Sequence, residues 1–202
     1  MVELFALIGD VVGSRVLPDR AAAQEKIGAT LREVSEQLKP AQALEATVGD
    51  EFQGAFATLG QAVSATFLVR LALLPEIDIQ YELDHGELTI HDASRSPVLQ
   101  DGPAWWAARD ALVWLAGPRR SSRRTRYIGP DEGRVNAYLA TRDALVDRLG
   151  DTSVRMLALG LQGRSQKEIA ERLGVTPSAV SHQFARGVGA LREAHLLFEG
   201  GE

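Results

Sequence analysis

Apolar residues along the chain fall into short blocks whose spacing switches between strand-like and helix-like repeats, and those switches outline the elements. Leu4-Phe5-Ala6-Leu7-Ile8 is an unbroken apolar run closing on Gly9-Asp10, the mark of a buried strand. From Asp19 to Leu38 the residues Ala23, Ile27, Leu31, Val34 and Leu38 recur at helical spacing, and Pro40 stops them. Leu44–Val48, a Gly49-Asp50 turn and Phe52–Phe56 predict a hairpin. A second helix with an apolar face (Ala62, Val63, Ala65, Phe67, Leu68, Leu71) spans 60–74 and ends at Pro75. Two strands follow, Ile77–Leu83 and Gly86–His91, with Asp84-His85-Gly86-Glu87 read as the turn between them. A third helix is expected over Pro103–Leu115, stopped by Gly117-Pro118. Its tryptophans Trp105, Trp106 and Trp114 read mainly as packing. This β-α-β-β-α-β alternation predicts an α+β, ferredoxin-like unit with helices on one face of an antiparallel sheet.

Beyond it the pattern changes. Residues 117–130 are polar and carry Arg119, Arg120, Arg123, Arg124 and Arg126, either a solvated loop or a phosphate-contacting one. A helix over about 131–149 ends at Gly150-Asp151, and residues 151–197 are helical again. The expected organisation is a sheet domain over 1–115, an Arg-rich connector and helix over 116–150, and an all-α domain over 151–202.

Within that last part, Ser165 followed by Glu168 is a capping-box start, and Ile169, Ala170 and Leu173 give a short buried stripe. Gly174 suits a left-handed helix end, Thr176 an N-cap and Pro177 the first helical position. Val180, Phe184, Val188 and Leu191 then form one inward face, leaving Ser178, Ala179, Ser181, His182 and Arg186 outside. The segment resembles the helix-turn-helix of LuxR proteins and of sigma-factor region four. The resemblance implies double-stranded DNA as partner, with Ser165, Gln166, Thr176, Ser178, Ala179, Ser181, His182 and Arg186 on the DNA side. One small reading head makes few contacts, so a homodimer on paired half-sites is expected. A helical hairpin used only for protein contact is the competing reading.

Charge sharpens the division. Residues 1–115 hold 8 Lys/Arg against 17 Asp/Glu, residues 116–150 hold 8 against 4, and residues 151–202 balance at 6 against 6. An acidic body with a basic stretch suits cation binding in one part and phosphate contact in another. The absence of cysteine excludes disulfides and thiolate chemistry, and His85, His91, His182 and His195 lack metal-site spacing. No apolar run is long enough for a bilayer and no leader pattern opens the chain, so a cytoplasmic protein away from membranes is expected.

Two acidic stations carry candidate chemistry. Ile8-Gly9-Asp10-Val11-Val12-Gly13-Ser14-Arg15 places an aspartate at a strand end before a glycine-bearing loop, and Val48-Gly49-Asp50-Glu51-Phe52-Gln53-Gly54 places carboxylates in a hairpin turn. If the first strand lies beside the hairpin, Asp10 and Asp50 converge as Mg²⁺ or Mn²⁺ ligands beside substrate phosphates. The Val11–Arg15 loop and the positive end of the following helix would then cradle a phosphate. With Asp101-Gly102-Pro103-Ala104-Trp105-Trp106-Ala107-Ala108-Arg109, these stations resemble the SatD family, class III nucleotide cyclases and, more distantly, diguanylate cyclases of the GGDEF type. The resemblance implies metal binding by Asp10 and Asp50, and nucleotide binding by Gly13, Ser14, Arg15, Glu51 and Arg109. The cyclases' helix asparagine falls on Trp105, which has no matching hydrogen-bonding capacity. The expectation is therefore a transcriptional regulator whose cyclase-like domain senses a nucleotide or metal–nucleotide ligand. The alternative is a metal-dependent nucleotidyl cyclase or related phosphoryl-transfer enzyme, and a third possibility is an adaptor with neither ligand.

Overall fold

A computed structural model describes residues 2–47, 50–92, 99–101 and 123–200. Its centre is β1 (Val2–Val11), flanked antiparallel by β3 (Glu51–Phe56) and β4 (Ile79–Asp92). The short strand β2 (Gln42–Ala46) lies outside β3. The far edge of β4 is shared: β5 (Leu99–Asp101) pairs antiparallel with its end, and β6 (Thr125–Ile128) pairs parallel with residues 81–84. The sheet order is β2-β3-β1-β4-β5, with β6 beside β4.

Alternation sorts the strands into two faces. Leu7, Val11, Phe52, Phe56, Ile79, Tyr81, Leu83 and Tyr127 are buried in one cluster with α1 (Arg20–Leu38) and α2 (Leu59–Leu73). Both helices start on side-chain caps: Asp19 Oδ1 accepts from Ala22 N at 3.0 Å, and Thr58 Oγ1 from Gln61 N at 3.2 Å. The helix α2 departs from the single apolar face expected of it, because it is buried nearly all round. Ala62, Val63, Val69 and Leu73 meet the sheet-side core, whereas Phe67 and Leu71 belong to a second cluster. A helix apolar on every side is one walled in by neighbours.

That second cluster comes from the C-terminal helices α4 (Asp151–Leu161), α5 (Gln166–Leu173), α6 (Pro177–Gln183) and α7 (Gly189–Glu199), joined by Val146 of α3 (Glu132–Val146). The helix expected to run unbroken from Pro177 to Leu191 is interrupted. A π-type turn over Phe184–Val188 places Gly187 at φ 134°, and α7 starts at Gly189. The reason is local: only glycine adopts that φ cheaply, and a Cβ at Gly189 would sit 2.9 Å from Phe184 O. Val180, Val188 and Leu191 still face inward and are buried.

Two further expectations are corrected. Asp84-His85-Gly86-Glu87 is no turn, since β4 runs straight through it, with Gly86 opposite Leu4 and Asp84 between Ala6 and Ile128. Thr125–Ile128, assigned to a polar connector, is a strand whose Thr125 and Tyr127 are buried. Its outer edge is satisfied by a side chain. Asn136 Oδ1 accepts from Tyr127 N at 2.9 Å, and Asn136 Nδ2 donates to Tyr127 O at 2.7 Å. The helix expected over Pro103–Leu115, its tryptophans, and Arg119 and Arg120 lie outside the described residues.

Buried charge ties these pieces together. Arg142 Nη2 donates to Thr125 Oγ1 at 2.6 Å and to Asp143 Oδ1 at 3.0 Å, Nη1 donates to Thr66 Oγ1 at 3.1 Å, and the guanidinium lies 4.8 Å from the Phe67 ring centroid. Asp143 Oδ2 accepts from the backbone N–H groups of Arg124 and Thr125 at 2.8 and 2.7 Å. Arg70 donates to Asp78 at 2.9 Å and to Asp147 at 2.5 Å. In α7, His195 reaches Ser64 Oγ of α2 and the Tyr138 hydroxyl of α3, each at 3.1 Å. Among the described residues, no helix is long and apolar enough to cross a membrane.

Candidate functional site

Asp10 stands at the end of β1, opposite Glu51 of β3 and Gln80 of β4. Gln80 Nε2 donates to Asp10 Oδ2 at 2.9 Å, fixing the carboxylate. Burial is the main cause that raises the Asp10 pKa above its ordinary value. The Gln80 hydrogen bond opposes the rise, and the charges of Asp50 and Glu51 add to it. The structure thus brings Asp10, Asp50 and Glu51 to one end of the sheet, where each negative charge makes the next more costly. Such a site favours either a proton or a cation. Among the described residues, no group of three or more His, Cys, Asp or Glu is arranged around a common ion position. Two carboxylates nonetheless fit Mg²⁺, which commonly takes one or two from protein and the rest of its shell from water and substrate phosphates. Val48 and Gly49 of the hairpin turn lie outside the described residues, as does Arg109.

The loop after β1 differs from the cradle expected of it. Gly13 adopts φ 68° and opens a 3₁₀ turn over Ser14–Val16, leaving Arg15 exposed. Val12 N is spent on Asp78 O at 2.9 Å, and Val16 N on Gly13 O at 3.0 Å. The next helix begins only at Arg20, and its N-terminus is capped by the carboxylate of Asp19. The helix end expected to meet a phosphate is therefore already occupied by an anion. Gly9 has a packing role: a Cβ there would lie within 2.6 Å of Phe52 Cε1. The aromatic ring lies across the strand where any side chain would stand.

Sequence reading missed two carboxylates on the same sheet face as Asp10 and Gln80. Glu82 and Asp84 of β4 are both buried, and neither oxygen of Glu82 has a hydrogen-bond partner. Burial pushes Glu82 up to about 9 and Asp84 up to about 6, so Glu82 is a neutral acid at pH 7. The nearby Arg126 opposes the rise at Glu82 without cancelling it. The alternation of Ile79, Tyr81 and Leu83 with Gln80, Glu82 and Asp84 put these carboxylates on one face but carried no sign of their burial.

The C-terminal candidates lie on a separate surface. Ser165 Oγ accepts from Glu168 N at 3.3 Å while Glu168 Oε2 accepts from Ser165 N at 2.8 Å, a closed capping box. Ser165 N, and then the Ser165 hydroxyl, which also donates to Glu168 Oε2 at 2.7 Å, lower the Glu168 pKa. Gly174 ends α5 at φ 65°, and Thr176 Oγ1 accepts from Ala179 N at 3.1 Å with Pro177 in the first turn of α6. Ile169, Ala170 and Val180 are buried between the two helices and their neighbours. Ser165, Gln166, Thr176, Ser178, Ala179, Ser181, His182 and Arg186 are all exposed.

Among proteins of known structure, the chain is similar to a bacterial light-regulated adenylyl cyclase, with 11% identity, a TM-score of 0.47, and 62% of this chain covering 43% of that one. A second structure of a bacterial light-regulated adenylyl cyclase gives 14% identity, a TM-score of 0.49 and the same coverage. The guanylyl cyclase Cya2 gives 12% identity and a TM-score of 0.45 over 56% of this chain and 70% of that one. The chain thus spans less than half the length of the two adenylyl cyclases. No curated protein sequence matches it. The model of the SatD family matches residues 4–188, and on that match the chain belongs to the SatD family.

Proposed function

We propose that this protein is a DNA-binding transcriptional regulator whose sheet domain binds a nucleotide together with Mg²⁺ or Mn²⁺. The observation that carries the reading is the surface of α6. Its start is fixed by Thr176 and Pro177 and its inner side by Val180, while Ser178, Ala179, Ser181 and His182 stand free in solvent. Together with α5 and the tight 174–176 turn, we read this as a helix-turn-helix, whose second helix would enter the major groove. We read the β2-β3-β1-β4 order as ferredoxin-like, the palm on which nucleotide cyclases are built. Asp10 and Asp50 would hold the metal, which neutralises substrate phosphates when bound. Gln80 orients Asp10, and Glu51 adds negative charge beside it. A homodimer would present two copies of α6 to paired half-sites.

The test is fluorescence anisotropy of the full chain on labelled duplex DNA at several salt concentrations. Binding should weaken steeply with salt, since phosphate contacts release counterions. Replacing Ser181, His182 and Arg186 together by alanine should cost about tenfold or more in affinity. Absence of salt-dependent binding in the folded protein would reject the reading. The clustering of Asp10, Asp50 and Glu51 also favours a second reading, a metal-dependent nucleotidyl cyclase or related phosphoryl-transfer enzyme. It predicts product formation from a nucleoside triphosphate with Mg²⁺ or Mn²⁺, abolished in Asp10→Ala.

A further inference from the structure

A cavity of about 1070 Å³ opens between α3 and the C-terminal helices, away from the carboxylates of the sheet. Leu145, Leu149 and Ala194 give it apolar walls, and Arg148 and Arg186 stand in its lining. One end is formed by the turn into α4, where Gly150 is the N-cap and supplies no side-chain cap. Gly150 O accepts from Ser153 N and Val154 N, so the amides of Asp151 and Thr152 precede the first helical bonds. Ser153, in that same first turn, is 8% exposed, lines the cavity, and makes no side-chain hydrogen bond among the described residues.

Charge in the lining is uneven. Arg142 also borders the cavity, but its guanidinium is committed to Asp143, Thr66 and Thr125. Arg148 and Arg186 make no ion pair among the described residues, and Asp151 is the one carboxylate in the lining. Arg148 and Arg186, the start of α4 and the Ser153 hydroxyl all line this one hollow, together with the apolar side chains of Leu145, Leu149 and Ala194. We propose that this cavity binds a small organic phosphate. Its apolar body lies against Leu145, Leu149 and Ala194, and its anionic group meets Ser153 Oγ and the first turn of α4, between Arg148 and Arg186. The proposal does not depend on nucleotide binding at Asp10 and Asp50.

The test is calorimetric titration of the full chain with phenyl phosphate, beside inorganic phosphate and benzyl alcohol. Saturable one-to-one binding of phenyl phosphate is expected, with inorganic phosphate and benzyl alcohol each much weaker, because each offers only half of the match. The Arg148→Ala/Arg186→Ala protein and the Ser153→Ala protein should each weaken binding, the former by about tenfold or more, as for charged hydrogen bonds. Arg155→Ala, which removes an exposed arginine of α4 outside the lining, should leave binding unchanged. Arg148 and Arg186 are exposed, so their loss spares both hydrophobic clusters, and unaltered thermal unfolding confirms it. No saturable binding to folded protein, or equal weakening in Arg155→Ala, overturns the site. Inorganic phosphate binding as tightly as phenyl phosphate overturns the ligand class.

Discussion

A methyl group added at Gly9 would press into the Phe52 ring, which is buried against the sheet and meets Tyr81 edge-on at 6.1 Å between centroids. Gly9→Ala is therefore expected to destabilise the fold by about 1–3 kcal/mol, the usual cost of overpacking. Gly9→Ala/Phe52→Leu should recover part of that loss, and denaturant unfolding of the four proteins of the cycle measures both. A glycine required only by a phosphate-binding loop would show no such coupling. The titrating side chains give a second signature. Glu82 holds its proton up to about 9 in the fold, while the unfolded chain gives it up near the ordinary 4.5. The folded state then binds more protons than the unfolded one between those values. Stability contributed below pH 4.5 is lost as pH rises through 9, at up to about 1.4 kcal/mol per pH unit. Asp84, raised to about 6, acts in the same direction. His195 acts oppositely: burial, aided by Arg142, lowers it to about 3, so its contribution is present above 6.5 and lost as pH falls toward 3. Glu82→Gln should raise the unfolding midpoint at pH 8 and leave it nearly unchanged at pH 4. An equal effect at both pH values would contradict a buried, protonated Glu82.

At the scale of elements, the joints between helices and sheet decide the fold. Arg142 connects α3 to α2 through Thr66 and to β6 through Thr125, with Asp143 bonded to the backbone that enters β6. Arg142→Leu leaves Asp143 with less compensation in the interior. A loss of about 3–5 kcal/mol is expected, read by chemical denaturation. A change below about 1 kcal/mol would mean that the surroundings, Arg70 included, already balance Asp143. The extents of α1 and α2 were legible because Asp19, Pro40 and Pro75 punctuate them locally, whereas β2 runs two residues earlier than the Leu44–Val48 expected of it. The run of β4 through Asp84-His85-Gly86-Glu87 was not, because its turn-like residues are held extended by partners far along the chain, Leu4 and Ala6 on one side and Ile128 on the other. β6 was hidden for a related reason. Its two buried positions, Thr125 and Tyr127, sit among arginines, and the bonds that complete it come from Asn136 on a later helix.

Across the whole molecule, α2 serves both hydrophobic clusters, one side against the sheet and the other against the C-terminal helices. α7 returns to the same helix. His195 bonds Ser64, and Gly60 leaves room for the backbone of Glu199, whose oxygen a Cβ there would meet at 2.8 Å. The expectation that Asp10 could meet Asp50 rested on a ferredoxin-like strand order, and β1 does pair with β3. The buried carboxylates of β4 were not readable, because their burial depends on packing that no local pattern encodes. If the sheet binds the proposed metal–nucleotide and that ligand favours one arrangement of the two clusters, the shared helix would give it a physical route to α6. The most direct test is DNA affinity of the full chain with and without nucleoside triphosphate and Mg²⁺, wild type beside Asp50→Ala. The metal–nucleotide is expected to shift the affinity of the wild type by about fivefold or more and to leave Asp50→Ala unmoved. DNA binding that is the same with and without nucleotide in both proteins would contradict it.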